Sequence, residues 1–308
     1  MLEGIPGFGL GFRPERRSSS PNCPPAPFVM PSRYRLLAID IDGTLVNSND
    51  ELTPATRDAL RSATAAGIHV VLATGRRYSH TLHLVEPLGI AVPLVTAGGA
   101  LVKDPATHRT LFETRFEPRV LREILTTLDA AGCDPLLNAD TFADGFDFYQ
   151  PPQPRENRYL AEYLALNPGC GRVWPDFFTA PPPEIFAGFV MGTREEMLAV
   201  EKLLQAALPG RITTHVLRSP RYRGFMCELA PAGVTKWSAI RRLAAEWGIA
   251  DAEICAVGDD VNDIPMIRAA GLGVAMGNAV PEALAVADRI APTHDHDGLV
   301  EVVAWLLA

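Results

Sequence analysis

Residues 36–45 read Leu-Leu-Ala-Ile-Asp-Ile-Asp-Gly-Thr-Leu, so a short apolar run ends at two aspartates that are two positions apart. The run Leu36 to Ile39 predicts a strand that is buried on both faces. Asp40 and Asp42 share parity, so in extended backbone their side chains project to the same side. Gly43 then allows the chain to turn sharply. Two carboxylates this close repel each other, and a divalent metal ion would relieve that repulsion.

Two other interpretations of this segment compete with a catalytic one. A calcium loop of the D-x-D-x-D-G-x₅-E type would use Asp40, Asp42 and Glu51. We exclude it because Leu45 occupies the sixth position, where the loop needs a glycine. A polar turn with solvated acids stays open, because aspartate is common where strands end. The rest of the chain has to decide.

The composition predicts a globular protein. Hydrophobic residues make up 47% of the 308 positions, enough for a substantial core in one large domain or two. The net charge of −8 argues against a duplex nucleic-acid surface, and no uncharged apolar run is long enough for a membrane span. Five scattered cysteines without a C-x-x-C spacing suit a reducing compartment. We therefore expect a cytoplasmic protein with neither nucleic acid nor membrane as a partner.

Changes in composition predict the domain organisation. Residues 1–33 contain seven prolines and a serine triplet, which predicts a disordered tail, with Met30 as an alternative start. Strand and helix patterns alternate over 34–100 and again over 225–308, which predicts an α/β core built on a doubly wound parallel sheet. Residues 101–224 carry proline clusters and more aromatic residues. We interpret them as an inserted α+β domain.

Capping residues and glycines predict where the helices begin and end. Thr53 and Pro54 predict the start of a helix that ends at Gly67. Thr193 and Glu196 form a capping box before a helix that ends near position 210. The other predicted elements are strands at 36–39, 68–73, 93–96, 253–257 and 272–275 and helices at 118–131 and 234–247.

Reactive side chains follow several predicted strands at the point where each strand ends. In an open parallel sheet, the carboxyl ends of the strands form the active crevice. Each candidate also has an ordinary explanation, as a helix cap, an acidic turn or a solvated lysine. Together, on strands of one sheet, they predict a shared site. Its candidates are Asp40 and Asp42, then Thr74-Gly75-Arg76, then Lys236, and finally Asp259, Asn262 and Asp263.

These four groups, in this order, resemble the motifs of the haloacid dehalogenase-like superfamily of phosphotransferases. Residues 273–279 and 293–298 are similar to its Cof-type branch of phosphatases, which carries a C2-type cap domain where the composition changes here. The resemblance is strong over 34–100 and 225–308 and weak over the cap. One residue departs from the branch, because Gly98 stands where asparagine is common.

The resemblance implies how the acidic residues divide the chemistry. Asp40 would attack phosphorus to form an aspartyl-phosphate, while Asp42 would protonate the leaving oxygen and then deprotonate the attacking water. Mg²⁺ would bridge Asp40 and the phosphate, with the Asp42 carbonyl and Asp259 as further ligands. Asn262 and Asp263 would belong to the ligand shell or lie just outside it.

The resemblance also implies a phosphate-binding set. Thr74 and the backbone amides near Ile41 and Gly75 would donate hydrogen bonds to the phosphoryl oxygens. Lys236 would neutralise their charge and, with Thr74, complete the catalytic set. Arg76 is a further candidate for substrate binding, and a surface salt bridge is its alternative.

The expected function is a Mg²⁺-dependent phosphatase of small phosphomonoesters, such as sugar phosphates or phosphorylated cofactors. The resemblance implies that dehalogenases lack the second acid, so Asp42 favours phosphate chemistry. A phosphomutase stays open, because it uses the same aspartyl-phosphate. A catalytically silent phosphate-binding regulatory protein is a third reading, and loss of an acid such as Asp259 would favour it. The substrate and the oligomeric state are left open.

Overall fold

The computed structural model describes residues 33–90, 92–218 and 221–308. The predicted disordered tail, apart from Arg33, and the alternative start at Met30 lie outside the described residues. Among the helices of the described part, none is long and apolar enough to cross a membrane.

The strands and α-helices are numbered in chain order. The strands are β1 Leu36–Asp40, β2 His69–Ala73, β3 Leu94–Thr96, β4 Leu101–Lys103, β5 Thr110–Glu113, β6 Leu136–Asn138, β7 Phe148–Gln150, β8 Gly171–Val173, β9 Ala187–Gly192, β10 Ile212–Leu217, β11 Phe225–Pro231, β12 Ile254–Gly258, β13 Leu272–Met276 and β14 Arg289–Ala291. The helices are α1 Pro54–Ala65, α2 Leu82–Val85, α3 Pro118–Ala130, α4 Arg158–Leu166, α5 Arg194–Ala207, α6 Lys236–Glu246, α7 Ile264–Ala269, α8 Pro281–Leu284 and α9 Gly298–Leu307.

The first sheet has the strand order β14-β13-β12-β1-β2-β3-β4-β5. Strands β14 to β3 run parallel, and β4 and β5 add an antiparallel hairpin. All five residues of β1 are buried at the centre, as its continuous apolar run predicts. Helices α1 and α9 pack on one face and α6 on the other. The predicted doubly wound α/β fold is confirmed.

The second sheet has the order β10-β11-β9-β6-β7-β8 and is antiparallel except for the β7–β8 pair. Side chains alternate between the faces of a strand, so the sheet has two different surfaces. One surface packs on α3 and α5 through buried residues such as Ile124 and Leu204. The other is partly covered by α4 through Leu160 and Tyr163. This layering corresponds to the predicted inserted α+β unit.

The change from one sheet to the other falls later than the predicted boundaries at 100/101 and 224/225. The hairpin β4–β5 belongs to the first sheet, because Leu101, Val102 and Phe112 are buried in its core. Strand β11 belongs to the second sheet, because Cys227 and Leu229 pack under α3 and α5. The chain therefore crosses between the sheets at 114–117 and 232–235, where composition gives no signal. That the second sheet acts as a cap domain stays a prediction.

Helix starts agree with the capping residues. Thr53 accepts a hydrogen bond from the Thr56 amide, and Thr193 and Glu196 form the reciprocal capping box. Helix α6 begins at Lys236 behind the N-cap Thr235. This start places the Lys236 side chain in the first turn, beside the carboxyl ends of the core strands.

Candidate active site

The turn after β1 depends on Gly43, whose φ of +74° is readily adopted only by glycine. A Cβ at this position would lie 2.3 Å from Asp259 Oδ2, so any side chain would displace that carboxylate. Asp40 is 3% exposed at the end of β1. Thr44 Oγ1 donates a hydrogen bond to Asp259 Oδ1 at 3.2 Å. The turn thus joins the first predicted motif to the last.

Lys236 connects three of the predicted site residues. Its Nζ donates to Asp40 Oδ1 at 2.6 Å, to Asp263 Oδ1 at 2.7 Å and to Asn262 Oδ1 at 3.2 Å. Burial disfavours the ammonium, but the carboxylates of Asp263 and Asp40 outweigh that effect and raise the pKa of Lys236. Lys236 is therefore a fixed positive charge beneath the site.

Asp263 holds the loop that follows β12. Its side chain is fully buried, and Oδ2 accepts hydrogen bonds from the amides of Asp259 and Asp260 at 3.0 and 3.1 Å. Asp260 in turn caps the short turn that begins at Val261. Both Asp263 oxygens are thus engaged by protein donors, which orients Asp259 toward Asp40.

The carboxylates of Asp40, Asp259 and Asp263 have ligand oxygens within 4.8 Å of one another. Burial, followed by the charge of Asp263, raises the pKa of Asp40, with Lys236 opposing the rise. The same two causes raise the pKa of Asp259 to about 8. The protein itself leaves this negative charge undercompensated, and an all-oxygen donor set is what Mg²⁺ prefers. The residues therefore fit a divalent hard cation.

The loop after β2 lies against the loop after β3. Thr74 is 1% exposed, its Oγ1 accepts from the Arg76 amide at 3.0 Å, and its carbonyl accepts from the Gly98 amide at 3.0 Å. A Cβ on Gly99 would lie 2.2 Å from the Thr235 carbonyl oxygen, so this glycine permits the close approach of α6. The structure thereby brings Thr74 and Gly75 to the same edge as Asp40 and Lys236.

Arg76 is buried and pairs with acids instead of lying on the surface. Its side chain is 7% exposed, Nε donates to Asp42 Oδ2 at 2.9 Å and Nη2 donates to Asp42 Oδ1 at 2.7 Å. Nη2 also contacts Asp50, whose other carboxylate oxygen accepts a hydrogen bond from Arg221. The surface salt bridge considered from sequence is therefore wrong, and substrate binding by Arg76 stays a prediction. The arginine orients Asp42 and links it to the loop before β11.

Arg77 is an unpredicted contact between the two sheets. Its guanidinium donates to Asp147 and to Asn167, each at 2.5 Å, and lies 5.2 and 5.7 Å from the ring centroids of Phe148 and Tyr163. Only 9% of the side chain is exposed. Its position next to the second motif was the only sequence signal, since all of these partners belong to the inserted segment.

A cavity of about 710 Å³ lies between the strand ends of the first sheet and the part of the second sheet that α4 leaves uncovered. Asp40, Asp42 and Lys236 line one side of it. Alternate residues of β10 and β11 line the other: Thr213, His215 and Leu217, and Met226, Glu228 and Ala230. The carboxylate pair therefore opens onto a cleft of the size that takes a small molecule.

Glu228 is the residue of the second sheet that sequence reasoning missed. Its Oε1 lies 2.8 Å from where a Cβ on Gly75 would be, and its Oε2 lies 3.9 Å from the corresponding point on Gly98. Burial raises its pKa to about 7, with Lys236 opposing and Asp260 and Asp42 adding to the rise. The Cof-type branch commonly has asparagine at the position of Gly98. In this protein, the space that such a side chain would occupy lies next to the carboxyl group of Glu228.

A doubly wound core with a buried acid–lysine site beneath a second sheet defines a class of α/β enzymes that handle phosphate esters. The model of the haloacid dehalogenase-like hydrolase family matches residues 37–303, and the chain belongs to that family. It is a phosphatase of the Cof type.

The similarity of this chain to known proteins and to solved structures covers most of its length. The phosphatase YwpJ of Bacillus subtilis is 30% identical over 297 residues, which cover 89% of this chain and 100% of YwpJ. The 5-amino-6-(5-phospho-D-ribitylamino)uracil phosphatase YcsE of the same organism is 27% identical, over 89% and 96% of the two chains. A haloacid dehalogenase-like hydrolase from B. subtilis superimposes with a TM-score of 0.71 at 28% identity, over 88% of this chain and 99% of that one.

Proposed function

We propose that the protein is a Mg²⁺-dependent phosphatase that hydrolyses small phosphomonoesters through an aspartyl-phosphate on Asp40. One observation carries the proposal: Asp40 lies buried at the end of the central strand, held by Lys236 at 2.6 Å, and faces the same cavity as Asp42. The phosphatase names of relatives such as YwpJ support the reaction class. The volume of the cavity, about 710 Å³, and the second sheet on its far side favour small substrates over phosphoproteins.

In the first step an Asp40 carboxylate oxygen attacks phosphorus, and the bond from phosphorus to the ester oxygen breaks. Asp42 supplies the proton that the leaving alkoxide takes up, so an alcohol departs. Thr74 Oγ1 and the Gly75 amide donate to the phosphoryl oxygens, and the Lys236 ammonium compensates their charge. Arg76 pairs with both Asp42 oxygens and orients this side chain. One of these two hydrogen bonds has to open before an Asp42 oxygen can carry the proton, because the guanidinium favours the ionised carboxylate.

In the second step a water molecule attacks the same phosphorus and Asp42 takes its proton, which regenerates the Asp40 carboxylate and releases inorganic phosphate. Mg²⁺ would be held by the Asp40 and Asp259 carboxylates and the Asp42 carbonyl, where it would supply charge compensation for the transferring group. Asp263 would then lie just outside the ligands, because its Oδ1 accepts from Lys236 and its Oδ2 accepts from the amides of Asp259 and Asp260. Asn262, whose Oδ1 accepts from Lys236, stays a candidate for either place.

The deciding experiment measures inorganic phosphate released from a panel of small phosphomonoesters and from acetyl phosphate. We expect release with Mg²⁺, none above background after chelation, and restoration when Mg²⁺ is added back. Asp40→Asn keeps the size of the side chain and leaves Lys236 its ion pair with Asp263, so the variant should fold. It should lose turnover by at least about 10³-fold, because covalent catalysis disappears. Asp58→Asn, on the exposed surface of α1, is the matched control.

The two alternative functions, a phosphomutase and a silent phosphate-binding protein, predict different outcomes. A phosphomutase would move labelled phosphate to another hydroxyl of a sugar monophosphate instead of releasing it. A silent phosphate-binding protein would turn over no member of the panel. Equal activity of the wild type and Asp40→Asn would show that Asp40 is not the nucleophile.

A further inference from the structure

Asn278, in the loop after β13, lies beside the proposed metal site. Strand β13 pairs in parallel with β12, with Ala275 opposite Gly258, so the loops that follow the two strands leave the sheet at the same edge. Asp259 follows β12 directly, and Asn278 follows β13 after one glycine. Asn278 belongs to the segment 273–279 that resembles the Cof-type branch, and the mechanism proposed above gives it no part.

The Asn278 side chain makes three hydrogen bonds to three different parts of the chain. Nδ2 donates to the Gly43 carbonyl at 2.9 Å and, in a longer contact, to Asp259 Oδ2 at 3.4 Å. Oδ1 accepts from the His294 amide at 3.0 Å. Because an amide carries its donors on one atom and its acceptor on the other, these partners allow only one orientation of the side chain. Asn278 therefore joins the turn after β1, the loop after β12 and the segment 293–298.

The loop after β13 also holds Asp259 at its main chain. The Val280 amide donates to the Asp259 carbonyl at 2.9 Å. On the other oxygen of the carboxylate, Thr44 Oγ1 donates to Oδ1 at 3.2 Å. Asp259 is thus held at its carbonyl and at both carboxylate oxygens.

The two loops that Asn278 bridges are those that carry the proposed ligands of Mg²⁺. The turn after β1 supplies the Asp40 carboxylate and the Asp42 carbonyl, and the carbonyl that Asn278 holds is that of the next residue, Gly43. The loop after β12 supplies Asp259, whose Oδ2 Asn278 contacts. A cation requires these oxygens together, so a bridge between the two loops prepares the site before the cation binds.

We propose that Asn278 is a positioning residue for the metal site, which fixes the loop after β12 against the turn after β1. The proposal rests on the Mg²⁺-dependent function proposed above. Asn278 itself is not a ligand, because Nδ2 is a donor and Oδ1 accepts from the His294 amide. The loss of such a partner behind a ligand typically costs about 10- to 100-fold in metal affinity or activity. An amide with a structural role alone would change stability and leave the affinity for Mg²⁺ as it is.

The test measures the Kd of Mg²⁺ for the substrate-free protein by isothermal titration calorimetry. Asn278→Ala should raise this Kd by about 10- to 100-fold. Asn278→Leu has a similar branched shape and leaves no room for a water molecule in place of the amide, so it should raise the Kd at least as much. The Mg²⁺ concentration that gives half-maximal hydrolysis of acetyl phosphate should rise in parallel, and the rate at saturating Mg²⁺ should fall by a smaller factor.

Asn157→Ala is the matched control. Asn157 is a half-buried amide that also makes three hydrogen bonds: it accepts from the Tyr159 and Leu160 amides at the start of α4 and donates to the Met191 carbonyl at 2.8 Å. It does not line the cavity. The control should lower the urea midpoint measured with a chelator and leave the Kd of Mg²⁺ as in the wild type.

An unchanged Kd in both Asn278→Ala and Asn278→Leu would overturn the proposal. So would a fall in kcat at saturating Mg²⁺ with an unchanged Kd, which would mean that Asn278 acts on Asp40 or Asp42 and not on the metal site. Both results leave the proposed function intact, provided that the wild type binds Mg²⁺ and hydrolyses acetyl phosphate. A wild type that hydrolyses acetyl phosphate equally well after chelation would contradict the proposed Mg²⁺ dependence, and the role of Asn278 with it.

Discussion

At the scale of single residues, Lys236 is the charge on which the site depends. It is 2% exposed and compensates two buried acids, Asp40 and Asp263. Removing one partner of a buried ion pair leaves an uncompensated charge, which destabilises a protein more strongly than replacing both partners does. The same contact that prepares the site therefore also holds α6 against the core strands.

We predict that Lys236→Met lowers the free energy of unfolding by about 3–5 kcal/mol. Urea denaturation with a chelator present measures this without metal binding. Arg57→Met is the control, because Arg57 pairs with Asp58 on the surface and should change stability by less than about 0.5 kcal/mol. A Lys236→Met variant as stable as the Arg57→Met variant would show that the ion pair contributes nothing to the fold.

At the scale of elements, the turn between β2 and α2 fastens the two sheets together. Arg77 and Ser79 both donate to Asp147, which precedes β7. His80 lies in the same turn, 2.8 Å from Arg77 Nη2. Burial, followed by the charge of Arg77, lowers the pKa of His80 from its ordinary 6.5 to about 4. The imidazole is therefore neutral in the folded protein and accepts the guanidinium hydrogen bond.

This depressed pKa predicts an acid-sensitive contribution to stability. Between pH 6.5 and 4 the unfolded chain binds a proton at His80 that the folded chain does not, so stability is lost as the pH falls through that window. We expect His80→Gln, which keeps an acceptor for Arg77, to lose less stability than the wild type between pH 7.5 and 5. Urea midpoints at several pH values measure the difference. Parallel curves for the two proteins would contradict the prediction.

The sequence predicted the features that depend on neighbouring residues and missed those that depend on distant parts of the chain. Strand ends and caps are local: the apolar run before Asp40 and the Thr53 and Thr193 caps depend on neighbouring residues, and the structure has each one in place. The hairpin β4–β5 was assigned to the wrong unit, because its sheet depends on pairing with β3. The partners of Arg77 and the position of Glu228 against Gly75 depend on the inserted segment folding back over the core, and no local pattern encodes that.

At the scale of the whole molecule, a chain of charges joins the two sheets across the site. Arg221, before β11, donates to Asp50; Asp50 accepts from Arg76; and Arg76 holds both oxygens of Asp42. If the second sheet shifted over the core, these linked ion pairs would change the orientation of Asp42, the proposed proton donor. We infer that Asp50 is a positioning residue for Asp42.

We predict that Asp50→Asn lowers kcat/KM about tenfold for an alkyl phosphate and much less for acetyl phosphate. An alkoxide needs the proton of Asp42 to depart, and general acid catalysis contributes about 10²–10⁴-fold, part of which is lost when the acid is misdirected. Acetate leaves without a proton, so its departure does not depend on where Asp42 points. The ratio kcat/KM is the right measure, because it reports the first, irreversible transfer and not the later hydrolysis step.

Asp104→Asn, in an exposed turn of the core, should leave both values as in the wild type. An equal loss of kcat/KM on both substrates in Asp50→Asn would contradict this prediction. It would mean that Asp50 supports the fold or the phosphate site and does not position Asp42 for proton donation.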